Sequence, residues 1–294
     1  MTNRFLRRGA LILAGLMVLL LILSAALAPA ICPYDPDEVT LELKFAPPSP
    51  AHLLGCDHLG RDVASRLIYG ARTSLSCVAA IAVLILVLGF AVGATAGYMG
   101  GTVDSLLMRV CDVFLTFPTF ILAMFMIGIL GTGIGNVILA ISLTHWAWYA
   151  RIIRSFVLSL KNREYVLAAR VAGTGRFMTV LRHVLPPVFA QLAILATLDI
   201  GHMMMHVSGL SFLGLGITPP TSEWGVMIAD GRQFVWTHPE LIMYPGLAIF
   251  LTVMAFNILG DGLRDAMDPN TREPASPESA PAGADQAVAV MEGL

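Results

Sequence analysis

The chain has 294 residues, 56% of them hydrophobic and only 13% charged, where a soluble domain carries roughly a quarter charged residues. That balance excludes a water-soluble globular protein and reads as an integral membrane protein, which the spans below make all-α and polytopic. The formal net charge of -2 says little about partners beyond membrane lipid, and no nucleic-acid partner is expected.

Arg4, Arg7 and Arg8 precede an uncharged run from Gly9 to Ile31, longer than the ~20 residues needed to cross a bilayer. A cleaved signal peptide is the competing reading, but its apolar region is typically about 7–15 residues. An uncleaved first helix over residues 1–31 is therefore expected. An extracytoplasmic loop follows over 32–72, and its prolines (Pro33, Pro36, Pro47, Pro48, Pro50) argue against helix in its first half.

Thr73 to Tyr98 reads as a second span, with Gly89, Gly93 and Gly97 at the small-xxx-small spacing that permits close helix packing in lipid. A third is expected from about Val113 to Leu130, kinked or restarted at Pro118, and a fourth from about Asn136 to Tyr149, ended by Arg151 and Arg154. The polar stretch Ser155–His183 is too long for a turn and too polar to span. A fifth span lies within Pro187–Gly216 and a sixth within Leu241–Leu259, closing a five-helix core over 73–269. Residues 270–294 are rich in Ala, Pro, Glu and Ser and read as a disordered cytoplasmic tail. With the N-terminus inside, thirteen of the 18 Lys and Arg residues fall on the inner side. The positive-inside rule then gives about six spans with both termini cytoplasmic.

The four cysteines, Cys32, Cys56, Cys77 and Cys111, show no C-x-x-C spacing and no structural zinc site. Cys32 and Cys56 share the outer side, which leaves a disulfide open.

Two stretches carry chemistry. In the fifth span, Asp199, His202 and His206 fall within an arc of about 60° on one helix face, with Met205 beside them. Ionisable residues inside a span are costly and usually face a bundle interior or an aqueous path. Carboxylate, imidazoles and thioether are a plausible ligand set for a late first-row divalent metal. The alternatives are that the histidines hydrogen-bond across helices and that some of the methionines fill core. His145, His52 and His58 are weaker candidates. His202 and His206 have the spacing of a zinc-protease pair, but Met203 stands where H-E-x-x-H needs its general base.

In the second stretch, 155–183, Tyr165, Ala168, Ala169 and Ala172 recur at helical spacing from Glu164 onward. Most of that face is small, which suits docking into another protein's groove; a helix lying on the membrane surface is the competing reading. Gly173 and Gly175 end the helix before a second short one.

Leu167-Ala-Ala169, Gly173 and Leu185-Pro186 resemble the E-A-A-x3-G-x9-I-x-L-P signature of ABC importer permeases. Leu167 replaces the usual Glu and His183 the usual Ile; Glu164 lies one turn upstream. Gly55-Cys-Asp-His-Leu-Gly-Arg-Asp62, Ser211-Phe-Leu-Gly-Leu-Gly216, Trp224-Gly-Val-Met227 and Asn257-Ile-Leu-Gly-Asp-Gly-Leu-Arg-Asp265 narrow the resemblance to the peptide/nickel class, especially its second permease subunit. The resemblance implies a type I ABC importer permease fold in the cell inner membrane. It also implies a homologous second permease as heterodimer partner, two cytoplasmic ATPases and an extracytoplasmic substrate-binding protein. Glu164, Ala168, Ala169, Gly173, Leu185 and Pro186 would then couple to the ATPases.

The segment from Ala196 to Gly209, and Thr144-His-Trp-Ala-Trp-Tyr-Ala-Arg151, look like the nickel-import permeases within that class. Nickel(II), free or chelated, is thus the expected substrate, with di- or oligopeptides or another metal chelate as the alternative. Leu43 and Leu160 precede the only lysines, so no G-x-x-x-x-G-K-[ST] loop exists. The chain is not expected to act as an enzyme or to bind a cofactor, and ATP and Mg would belong to the partner ATPases.

Overall fold

The computed structural model describes residues 2–267, so the expected tail over 270–294 lies outside the described residues. The described residues form ten α-helices and no β-strand. Helix α1 is Thr2–Ile31 and α2 is Val63–Met99; α3 is Gly101–Thr116, α4 Thr119–Leu130 and α5 Ile134–Lys161. Two short helices follow, α6 over Glu164–Val171 and α7 over Arg176–Thr179. A π-turn at Val180–Val184 leads into α8, Leu185–Phe212, and α9 (Trp224–Gly231) and α10 (Glu240–Met267) complete the chain.

Among the described residues, four stretches are long and apolar enough to cross a membrane: Gly9–Ile31, Val63–Met99, Arg176–Phe212 and Glu240–Met267. The pair α3 and α4 qualifies together as a broken fifth, bent by 86°. The break falls at Phe117-Pro118, where the proline supplies no N–H for a continuing helix, and α4 begins just after it, the restart expected at Pro118. Helix α5 is 28 residues long, roughly 42 Å at 1.5 Å per residue, but Asn136, His145 and Arg151 keep it out of a count based on hydropathy.

Two boundaries differ from those read in the sequence. Helix α2 begins ten residues before Thr73, because the Asp62 carboxylate caps it by accepting the Ser65 N–H at 2.7 Å. At the other side, α5 runs on to Lys161 rather than ending near Arg151. Arg154 there makes a two-pronged ion pair to Asp104 of α3 at 2.5 and 2.6 Å, and Lys161 donates to the Gly97 carbonyl at 2.8 Å. Arg151 likewise pairs with Asp112. The charges that seemed to end the span instead tie α5 to α2 and α3.

The bundle is built around α2 against α5. A Cβ on Gly89 would stand 2.6 Å from the Tyr149 Cβ, and one on Gly93 only 2.3 Å from the Ala150 carbonyl oxygen. Gly97 meets Val157 in the same way at 2.9 Å. The small residues thus let two backbones touch, the packing mode available where lipid removes the hydrophobic drive between helices. This seam brings Tyr149, and with it His145, into the bundle interior. Helix α8 packs against α10 at Gly260, whose missing side chain admits Leu198, and so fixes the rotation of the Asp199 face.

The segment 32–62, called outer after its expected extracytoplasmic side, folds over the ends of α2 and α9. Its only helical turn is Leu41–Leu43. All four cysteines are free; Cys32 donates its thiol to the Ser65 carbonyl at 3.8 Å.

Candidate functional site

Asp199 sits midway along α8 and is buried at 5% exposure. Its Oδ2 accepts hydrogen bonds from the Tyr149 hydroxyl at 3.0 Å and from His145 Nε2 at 3.1 Å, both from α5. Its Oδ1 lies 3.5 Å from His202 Nδ1. A buried carboxylate needs such partners, since an unpaired one would be strongly penalised. The His145 and His206 ring centroids are 6.2 Å apart, and His206 stacks on Phe120 of α4 at 5.8 Å. The Nδ1 atoms of both His145 and His206 are buried without a hydrogen-bond partner.

The face read from the sequence therefore divides. Asp199 and His206 turn into the bundle, whereas the His202 side chain is 78% exposed and Met205 is 62% exposed. Met203 and Met204 are core. His145, one of the weaker sequence candidates, stands beside Asp199, and Tyr149 joins it unanticipated. Their one-turn spacing on α5 was the available signal. Among the described residues, no group of three or more His, Cys, Asp or Glu side chains is arranged to hold a metal ion.

A second buried polar cluster joins the outer segment to the bundle. Arg61, 2% exposed, donates through Nε to Asp57 at 2.7 Å and through Nη2 to Asp230 of α9 at 2.9 Å. Arg66, 1% exposed, lies 3.6 Å from Asp57 and 3.5 Å from Asp230. Beneath them the wholly buried Glu223 caps α9 by accepting the Val226 N–H, and also accepts from the hydroxyls of Ser74 and Ser208. His52 bonds Asp62 at 3.0 Å, and His58 stacks on Phe234 at 5.3 Å. Both weaker histidine candidates of this loop thus have structural neighbours. Burial pushes the His58 imidazole below its ordinary value, against the pull of Asp57 and Asp230.

On the opposite side, α6 stands out from the bundle on one buried residue, Val166. Tyr165, Ala168 and Ala172 are exposed and Ala169 is half-buried. Gly173 ends the helix at φ +88°, with open space around it. Glu164 opens α6, and Leu185 and Pro186 open α8. The exposed surface also includes Val171 at 90% and Phe177 at 79%, two apolar side chains that the small-residue pattern did not single out.

The family described as the binding-protein-dependent transport system inner membrane component matches residues 89–273. The N-terminal transmembrane domain of oligopeptide transport permease C matches residues 1–48. The nickel transport system permease protein NikC of Escherichia coli (strain K12) is 54% identical over 258 residues, covering 88% of this chain and 93% of that protein. The metal-staphylopine import system permease protein CntC of Staphylococcus aureus (strain NCTC 8325 / PS 47) is 40% identical, over 89% of this chain and 90% of its own length. The di/tripeptide transport system permease protein DppC of Pseudomonas aeruginosa (strain UCBPP-PA14) is 41% identical, over 90% and 89% respectively. With this coverage and the all-α polytopic bundle, the chain belongs to the inner-membrane permeases of binding-protein-dependent ABC transporters, in their peptide/nickel class.

Proposed function

We propose that the chain is the permease subunit of an importer for nickel(II), free or chelated, driven by ATP hydrolysis on partner ATPases that carry the Mg. The observation that carries this reading is the 54% identity to a nickel transport permease across 88% of the chain, against 40–41% for the metal-staphylopine and di/tripeptide permeases. The partners are a homologous second permease, two cytoplasmic ATPases and an extracytoplasmic substrate-binding protein. Import of peptides or of another metal chelate is the second reading, favoured by those same 40–41% relatives.

In this reading Asp199, His202, Met205 and His206 line the path, and residues exposed on this subunit face the second permease. The chain supports the path with donors that bind weakly, since a tight trap would not release its ion. Glu164, Ala168, Ala169, Gly173, Leu185 and Pro186 shape the segment that receives the ATPase. Its movement would rock α8 through the continuous helical stretch Arg176–Phe212 and switch access between the two sides.

The test is transport by the complete complex in liposomes, with Ni²⁺ and a dipeptide measured in parallel. ATP-dependent accumulation of Ni²⁺ is expected; dipeptide accumulation without Ni²⁺ would replace the first reading by the second.

A further inference from the structure

His145 lies outside the path residues just named, yet its surroundings prepare it as a ligand. The Asp199 carboxylate is acceptor-only when ionised, so the proton of a neutral His145 sits on Nε2, where the 3.1 Å contact lies. Nδ1 is then a bare lone pair, and it is buried with no donor to meet it. A carboxylate holding one imidazole nitrogen so that the other is free is the arrangement that orients metal-binding histidines and raises their basicity. Tyr149, bonded to the same Oδ2 at 3.0 Å, holds the carboxylate in place.

The second nitrogen comes from His206, whose Nδ1 is buried and unpartnered as well. With metal–nitrogen bonds of about 2.0–2.1 Å and ring nitrogens about 1.2 Å from the ring centre, two rings sharing an ion lie at most about 6.6 Å apart. The observed 6.2 Å falls inside that limit.

We infer that His145 and His206 bind one divalent transition-metal ion between them through their Nδ1 atoms, with Asp199 as the positioning residue that fixes the His145 tautomer. The inference deepens the nickel reading and rests on it for the identity of the cargo. Two imidazoles alone make an incomplete site, which suits a station that passes its ion on; remaining positions fall to water, a chelator or the second permease. It also explains why the carboxylate on this face is bonded to Tyr149 and His145 rather than left open to the ion.

The test is a Co²⁺ titration of the detergent-solubilised permease–ATPase complex, followed by the visible absorption of imidazole-bound Co²⁺. His145→Ala and His206→Ala should each weaken binding by at least about tenfold, and the double variant should lose little more, because both rings serve one ion. Asp199→Asn should weaken binding by about tenfold through the misplaced tautomer, with the complex still assembled. Unchanged Co²⁺ affinity in His145→Ala would overturn the inference, as would fully multiplicative losses in the double variant. If His145→Ala does not assemble, His145→Gln keeps an amide donor toward Asp199; it should assemble without binding Co²⁺, and retained binding counts against the site. Because binding rather than transport is read, failure here is distinct from failure of nickel uptake.

Discussion

The outer cluster around Arg61 and Arg66 and the mid-helix cluster around Asp199 are both buried, but they leave different atoms unused. In the outer cluster two guanidinium groups face two carboxylates, Asp57 and Asp230, each within 4 Å of an opposite charge. In the mid-helix cluster the carboxylate is satisfied while two imidazole nitrogens are not. Native proteins rarely leave buried polar atoms without partners. The outer cluster also leaves Arg66 Nη2 and His58 Nδ1 without a hydrogen bond, but its guanidinium groups stand within 4 Å of carboxylates, and opposed charges read as scaffold; two imidazole lone pairs beside one carboxylate read as a place for something that comes and goes. Burial and unpartnered atoms are common to both clusters; what separates them is the chemistry of the facing groups, opposite charges in one and neighbouring imidazoles in the other.

The sharpest way to break the comparison is to remove a carboxylate from the cluster of opposed charges. Asp57→Ala leaves Arg61 and Arg66 sharing Asp230, and uncompensated buried charge costs about 3–5 kcal/mol. The expected result is a large drop in Tm or in yield of folded subunit, whereas Tyr149→Phe, which removes one hydrogen bond from a carboxylate that keeps another, should cost only about 1–2 kcal/mol. Next comes the seam that brings the two halves of the mid-helix cluster together. Gly93→Val would drive a side chain against the Ala150 carbonyl and should destabilise by about 1–3 kcal/mol. Gly128→Val, where a Cβ meets nothing within 4 Å, should leave Tm nearly unchanged.

A smaller effect is expected at Gly173. Its φ of +88° disfavours any side chain, at roughly 1–2 kcal/mol. Gly173→Asp adds a negative charge to the docking segment and should reduce co-purification of the ATPases; Gly173→Asn, which tolerates positive φ better, should reduce it less. Normal recovery of the ATPases with Gly173→Asp would count against the coupling role. The smallest effect concerns pH. Because the folded state holds His58 below its unfolded value of 6.5, packing of the outer segment is fully favourable above that value. It weakens as pH falls from there toward the lower folded value, where the buried ring must take up a proton. Tm should decline over that window, and His58→Asn should flatten the decline.

Much of this architecture was legible in the sequence because it is written in composition and spacing. The apolar runs, the Gly89–Gly97 stripe, the break at Pro118 and the short helix from Glu164 all depend on local rules. What could not be read were contacts across distant segments. Arg154 looked like the charged end of a span, but it reaches Asp104, fifty positions away, and lets the helix continue. Asp199 and His202 share one helical arc, yet only the packing of α8 on α10 decides that the first is buried and the second exposed. His145 carried little signal on its own, because its importance comes from Asp199 across the bundle. Likewise the α2 cap at Asp62 lies in a polar stretch outside the apolar run, where span length gave no signal of a helix start.

The central claim is that a divalent cation passes along the Asp199–His206 face. It is tested most directly by ATP-dependent Ni²⁺ uptake into liposomes containing the complete complex with His202→Ala and His206→Ala together. Uptake should fall sharply while all subunits still co-purify. Uptake equal to that of the unaltered complex would contradict the account and leave the two histidines as packing groups.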